Sequence, residues 1–247
     1  GGDGGLAGEM VLHFERNNWY IYIGRPEYDK RISVVMMGMA RVAAYLVVGT
    51  TIPACPPPPP NVRQIFNDMD GSMKGAGPKL SNGAGIGFGG SFGFDTGDIS
   101  FLVFYGSFAM ELGFDVMLTK FEDVSCDGKS DEIGMNGWYA MGQAYVFLEG
   151  NMGIRVKLLG KKREFDIIYF NSGVLFEAQL PNPTWVKGIA AIEFSILGGL
   201  VEGNCDFEVE VGEQCSQAAN ENDFLDGMDI ISEISPGNGE AEVNLLN

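Results

Sequence analysis

The sequence predicts an all-β fold: a large antiparallel meander forming a sandwich or barrel, with one short helix after a polyproline segment. Three observations predict it. Apolar and polar residues alternate at period two, most strictly over 205–212. There Phe207, Val209 and Val211 face one way and Asp206, Glu208 and Glu210 the other. Turn-forming groups such as Asp95-Thr96-Gly97-Asp98, Glu149-Gly150-Asn151 and Gly160-Lys161-Lys162 separate such stretches. No link is long enough for the crossover helix that parallel strands need.

Residues 1–9 read as a glycine-rich lead-in to a single β-rich domain over 10–215. Trp19-Tyr20-Ile21-Tyr22-Ile23 is a β-branched and aromatic run closed by Gly24. Strands are also expected over 31–35 and 41–48, with Gly38 as a bend or bulge between them. Pro56 to Pro60 form a stiff spacer of polyproline II or turn type. Val62, Ile65 and Phe66 then share one helical face, which predicts a helix of two or three turns. Residues 67–83 are polar and glycine-rich, as a loop would be. Strands follow over 84–94, 98–108, 109–119, 137–148, 151–159, 164–179, 184–197 and 200–212. In the strand over 164–179, Phe165, Ile167 and Tyr169 alternate with Ile168 and Phe170, a pattern apolar on both faces. Glycines set among aromatics, as in Gly85-Ile86-Gly87-Phe88-Gly89, predict bends, bulges or close sheet packing. Residues 216–233 have the composition of a linker.

Charge narrows the partners. The chain of 247 residues carries 33 acidic and 16 basic side chains, a net charge of −17. Such a field repels phosphate backbones, so no nucleic acid is expected as a partner, and an anionic membrane surface is equally disfavoured. No run of about 18 apolar residues is present, so no transmembrane helix is expected. The four widely spaced cysteines and the lone His13 suit disulfides in an extracellular, cell-surface setting better than zinc. Cys205 and Cys215 at opposite ends of one strand would stand roughly 33 Å apart, too far to bond. Two connectivities remain, and the expected one is Cys126–Cys215 with Cys55–Cys205.

Two resemblances extend the reading. Ile234-Ser235-Pro236-Gly237-Asn238-Gly239-Glu240-Ala241-Glu242-Val243 resembles the opening of bacterial Ig-like domains, which implies that 234–247 begins a following sandwich. Trp19–Gly24, Ile52–Cys55, Gly137–Tyr145, Leu180–Trp185 and Gly198–Gly203 are together similar to strand-rich regions of very large bacterial surface proteins exported by the type IX route. That resemblance implies secretion and no catalytic residue.

No chemistry-bearing constellation stands out. A Ser-His-Asp or Cys-His site would have to use His13, and no Gly-x-Ser-x-Gly elbow occurs. The formal GxGxxG at Gly85–Gly90 continues a strand instead of opening a helix. Glu111, Asp115 and Glu177 stand within apolar strands, with Glu111 and Asp115 on one strand face, the type of placement a glycosidase pair would need. Asp68, Asp70 and Ser72 offer alternating oxygens for a calcium ion, and Asp123, Asp127 and Asp131 crowd a second loop. No other cofactor is expected.

The expected role is therefore a non-enzymatic structural or adhesive module of a large secreted cell-surface protein, packing against copies of itself or neighbouring domains. A carbohydrate-binding module is the first alternative, with Trp19, Trp138, Trp185 and Tyr139 as a stacking platform for a glycan. An outer-membrane β-barrel is the second. Long alternating strands, short turns and many aromatics favour it, while the absence of a regular aromatic girdle and the helix-plus-polyproline insert speak against it.

Overall fold

The computed structural model describes residues 6–70, 83–121, 125–126, 133–158 and 161–215, all within one unit spanning 1–217. The linker and Ig-like expectations for 216–247 lie outside the described residues, apart from the boundary near 217. Twelve antiparallel strands make one sheet: β1 (Leu6–Ala7), β2 (Met10–Phe14), β3 (Trp19–Ile23), β4 (Ile32–Met36), β5 (Ala40–Ile52), β6 (Gly83–Asp95), β7 (Ile99–Phe101), β8 (Phe104–Lys120), β9 (Trp138–Leu158), β10 (Lys161–Leu180), β11 (Trp185–Ile196) and β12 (Val201–Gly212). Among the described residues the one α-helix, α1, spans Pro60–Asp70, and a 3-10 turn at Tyr28–Lys30 interrupts the run from β3 to β4.

Sequence neighbours are sheet neighbours almost throughout. Strand β5 pairs with β3 over Leu46–Gly49 and with β4 over Ala40–Ala44, so β3 and β4 share one lane. In the same way β1 and β2 share the lane outside them, and β7 extends the β6 lane along β8. The lanes are β1/β2, β3/β4, β5, β6/β7, β8, β9, β10, β11 and β12. Among the described residues the sheet stays open, with β1/β2 at one edge and β12 at the other.

The two faces of this sheet differ in kind. Residues directly opposite in an antiparallel pair point to the same side, so the register sorts the side chains into rows. One row reads Val34, Val42, Phe92, Leu112, Val146, Val174, Ala190 and Phe207. The next on the same side reads Ile32, Ala44, Gly90, Phe114, Ala144, Phe176, Gly188 and Val209. We call this the bare face. On the other side runs Tyr45, Gly89, Asp115, Gln143, Glu177, Lys187 and Glu210. That covered face carries the charges, and chain folds over it.

Helix α1 is one of the covers. Val62, Ile65 and Phe66 are all buried and pack on Tyr145, Phe147, Leu175 and Ala191. The proline segment before it lies over the same face, since Gln143 Nε2 donates to the Pro56 carbonyl at 2.9 Å. Strand β6 shows why glycine alternates with bulky residues. Ile86, Phe88 and Phe92 face the bare side, while Gly85, Gly87 and Gly89 face the covered side. A Cβ on Gly87 would collide with Met117, and one on Gly89 with Asp115 and the Tyr45 ring. The glycines mark close packing and no nucleotide loop.

Three expectations about strands need correction. Strand β9 runs straight through Glu149-Gly150-Asn151, which is no hairpin. Glu149 and Asn151 are polar because they alternate onto the covered face beside Asn171 and Tyr169, and Gly150 receives the Phe170 ring. Strand β8 likewise passes the expected break at 108/109. In β10 a bulge between Asp166 and Ile168 shifts the phase, so Phe165, Ile168 and Phe170 all reach the bare face. The covered face of that strand is apolar too where Leu175 packs beneath α1. The lead-in also contributes, because Leu6–Ala7 pairs with β4.

Of the four cysteines, Cys126 and Cys215 are bonded, with Cα atoms 5.2 Å apart. The bond ties the stretch after β8 to the end of β12 amid Phe121, Ile133, Tyr139 and Met141. Its closed loop of 89 residues lowers unfolded-chain entropy enough to contribute about 4–5 kcal/mol. The expected Cys55–Cys205 bond is absent. Cys55 packs against Tyr45, Val47, Ile52 and Met117 on the covered side, while Cys205 lies opposite Ile192 on the bare side. The sheet stands between them.

Candidate functional site

The covered face holds a buried charged cluster. Arg31 leaves the turn before β4 and its Nη2 donates to Asp115 Oδ1 at 2.7 Å, with both side chains essentially sealed from solvent. Its Nε reaches the Pro26 carbonyl at 3.2 Å, and its guanidinium lies 5.1 Å from the Tyr45 ring centre. The second Asp115 oxygen accepts from Gln143 Nε2 at 2.9 Å. Both oxygens of Asp115 are therefore engaged by neutral or cationic donors. Glu111, on the same face as Asp115, accepts from Asn61 Nδ2 at 2.7 Å and so holds the start of α1. Glu177 is buried two strands from Asp115 in the same row.

These carboxylates do come together, and their partners define what they can do. Asp115 fixes Arg31 and Gln143, Gln143 in turn holds the proline segment, and Glu111 fixes the helix. The cluster is a clasp that fastens inserted chain onto the sheet. Cys55 belongs to that insert. Burial, with the negative Asp115 and Glu177 beyond it, pushes its thiol up to about 12. Native protein should then leave Cys55 unmodified by N-ethylmaleimide at pH 8, with labelling only after unfolding; mass mapping checks the position.

The four expected stacking residues do not form a platform. Tyr139 is fully buried, its hydroxyl 3.0 Å from the Pro183 carbonyl, and Trp185 is buried with its indole N–H donating to Glu210 at 2.6 Å. Only Trp19 and Trp138 are accessible, at 39% and 40% exposure, and they lie at one end of the bare face. The calcium reading also changes. Asp68 and Asp70 fall within α1 rather than in a loop, and Ser72 lies outside the described residues, as do Asp123, Asp127 and Asp131. Among the described residues no cluster of three metal-ligating side chains occurs.

The feature that sequence inspection missed is the bare face as a whole. On β8 it presents Phe104, Gly106, Phe108, Met110, Leu112, Phe114, Val116 and Leu118, and on β9 it presents Ala140, Gly142, Ala144, Val146, Leu148 and Gly150. Strands β10 to β12 add Phe170, Ser172, Val174, Phe176, Ala178 and Leu180, then Val186, Ala190, Ile192 and Phe194, then Cys205, Phe207, Val209 and Val211. No charged residue interrupts these rows. One row beyond Leu118 and Ala140 stand Lys120 and Trp138. At the far end Phe101, Phe104 and Phe165 gather. Aromatic side chains thus stand at both ends, while Phe92, Phe114, Phe176 and Phe207 occupy the middle rows. Among the described residues no helix is long and apolar enough to cross a membrane.

No protein-family profile, curated protein or solved structure matches this chain.

Proposed function

We propose that this sheet is the wall of an outer-membrane β-barrel, a non-enzymatic anchor whose bare face meets lipid and whose covered face is plugged by its own chain. One observation carries the reading: the bare face is uncharged over its rows, while the charges of the same strands turn to the covered face. That is the inverse of a water-soluble sheet, and it is the pattern a lipid-facing wall requires. The dimensions agree. From Phe108 to Leu118 ten residues run about 34 Å along the strand, which a tilt of roughly 45° reduces to about 24 Å, close to the apolar band of such barrels. Lys120, Trp138 and Trp19 at one rim suit the headgroup zone, where amphipathic rings and long cations settle.

The net charge that disfavours an anionic surface acts from the covered face and the links, and not from the bare rows. The clasp of Arg31, Asp115 and Glu111 fastens the insert against the covered face. The resemblance to type IX-exported surface proteins fits an anchor at the cell surface. A free adhesive module remains the competing reading, and it would need another protein surface to cover the same face.

Tryptophan quenching separates the two. The chain is refolded into vesicles whose acyl chains carry bromine at shallow or deep positions. Trp19 and Trp138 emission should be quenched most by the shallow bromines, and Trp185 spared. Full recovery of the protein in the aqueous phase with unquenched emission would overturn the proposal.

A further inference from the structure

We infer that the edge of β12, unpaired among the described residues, accepts one further antiparallel strand, whose side chains alternate between apolar on the bare side and basic on the covered side. Two independent arguments lead there. The first is parity, and it rests on the membrane reading. Hydrocarbon tolerates no open sheet edge. Every pairing in the sheet is antiparallel, so successive lanes alternate in direction and β1/β2 and β12, first and ninth, run the same way. They cannot close on each other antiparallel. One added lane makes the number even, as antiparallel closure requires.

The second argument is charge, and it stands without the membrane. Strand β12 has no proline, no lysine and no bulge along Val201–Gly212, so of the devices that protect an edge it carries only acidic charge. Its covered side presents Glu202, Asn204, Asp206, Glu208 and Glu210. Lys187 Nζ meets Glu208 at 2.9 Å and the Trp185 indole serves Glu210, but among the described residues Glu202 and Asp206 have no cation. Glu193 on β11 adds to the same acidic strip, opposite Asn204. A strand with lysine or arginine on this side satisfies the strip, and an acidic one is repelled. The period-two stretch Glu240-Ala241-Glu242-Val243-Asn244-Leu245 of this chain has the right alternation and the wrong charge.

Fluorescent peptides of eleven residues test the edge on the full chain in detergent micelles, read by anisotropy. The probes are an alternating Val–Lys peptide, an alternating Val–Glu peptide, a scramble of the first, and a peptide of residues 238–247. The Val–Lys peptide should bind about tenfold more tightly than each of the others. The double variant Glu202→Lys with Asp206→Lys, both exposed and checked for native circular dichroism, should shift the preference to Val–Glu. Equal binding of the scramble would reduce the effect to net charge and overturn the inference. Tightest binding by the 238–247 peptide would overturn the basic partner and assign the edge to this chain itself. Lipid quenching is read separately, so loss of quenching with the peptide preference intact removes the membrane reading alone.

Discussion

Asp115→Ala is expected to destabilise the protein by about 3–5 kcal/mol, because it strands a guanidinium that the fold has sealed from water. Arg31 is 1% exposed and Asp115 0% exposed, so no solvent replaces the lost partner. The remaining Arg31 contacts, the Pro26 carbonyl and the Tyr45 and Tyr28 rings, neutralise no charge. Gln143 also loses one of its two acceptors. Arg31→Met should cost a similar amount by leaving a buried carboxylate. The double variant Arg31→Met with Asp115→Leu removes both charges, and it should be markedly more stable than either single variant. Equilibrium unfolding by denaturant, run as a double-mutant cycle, measures this coupling. A cost below about 1 kcal/mol for Asp115→Ala would mean a solvated pair that fastens nothing.

The all-β class was legible because period two and turn chemistry are local signals. The helix was equally legible: Val62, Ile65 and Phe66 share a face, and all three are buried on the sheet. Strand ends were harder. Glu149-Gly150-Asn151 has turn composition, yet two polar residues flanking a glycine also fit a strand whose covered face is polar. The bulge after Asp166 hid the phase of β10 in the same way, since a single extra residue moves every later side chain to the other face. The site was legible only in pieces. Glu111, Asp115 and Glu177 could be picked out as acids inside apolar strands, but Arg31 lies 84 residues from its partner and no local pattern marks it. Polarity alone also says which residues share a face without saying which face is outside. The placement of α1 and the proline segment shows only which face carries added chain, and that is the polar one.

Val146→Arg is the substitution on which the membrane reading and a water-soluble one part most widely. Val146 is 40% exposed at the middle of the bare face, between Leu112 on β8 and Val174 on β10, three rows from Ala140 and two from Gly150. In water an arginine there is harmless. It adds charge to an apolar surface, leaves the backbone ladder intact, and should raise solubility while shifting stability by no more than about 0.5 kcal/mol. In lipid the same side chain sits near the midplane, where a charged residue on the outer wall costs about 2–4 kcal/mol. Trp138→Arg, at the rim beside Lys120, provides the internal control, with a cost of about 0–1 kcal/mol in lipid because the head group is within reach. Refolding into vesicles with the inserted fraction read from flotation should therefore rank wild type and Trp138→Arg together, well above Val146→Arg. In detergent-free buffer both arginine variants should be more soluble than wild type. If Val146→Arg inserts as well as wild type, the bare face does not meet hydrocarbon, and the sheet must be covered by protein instead.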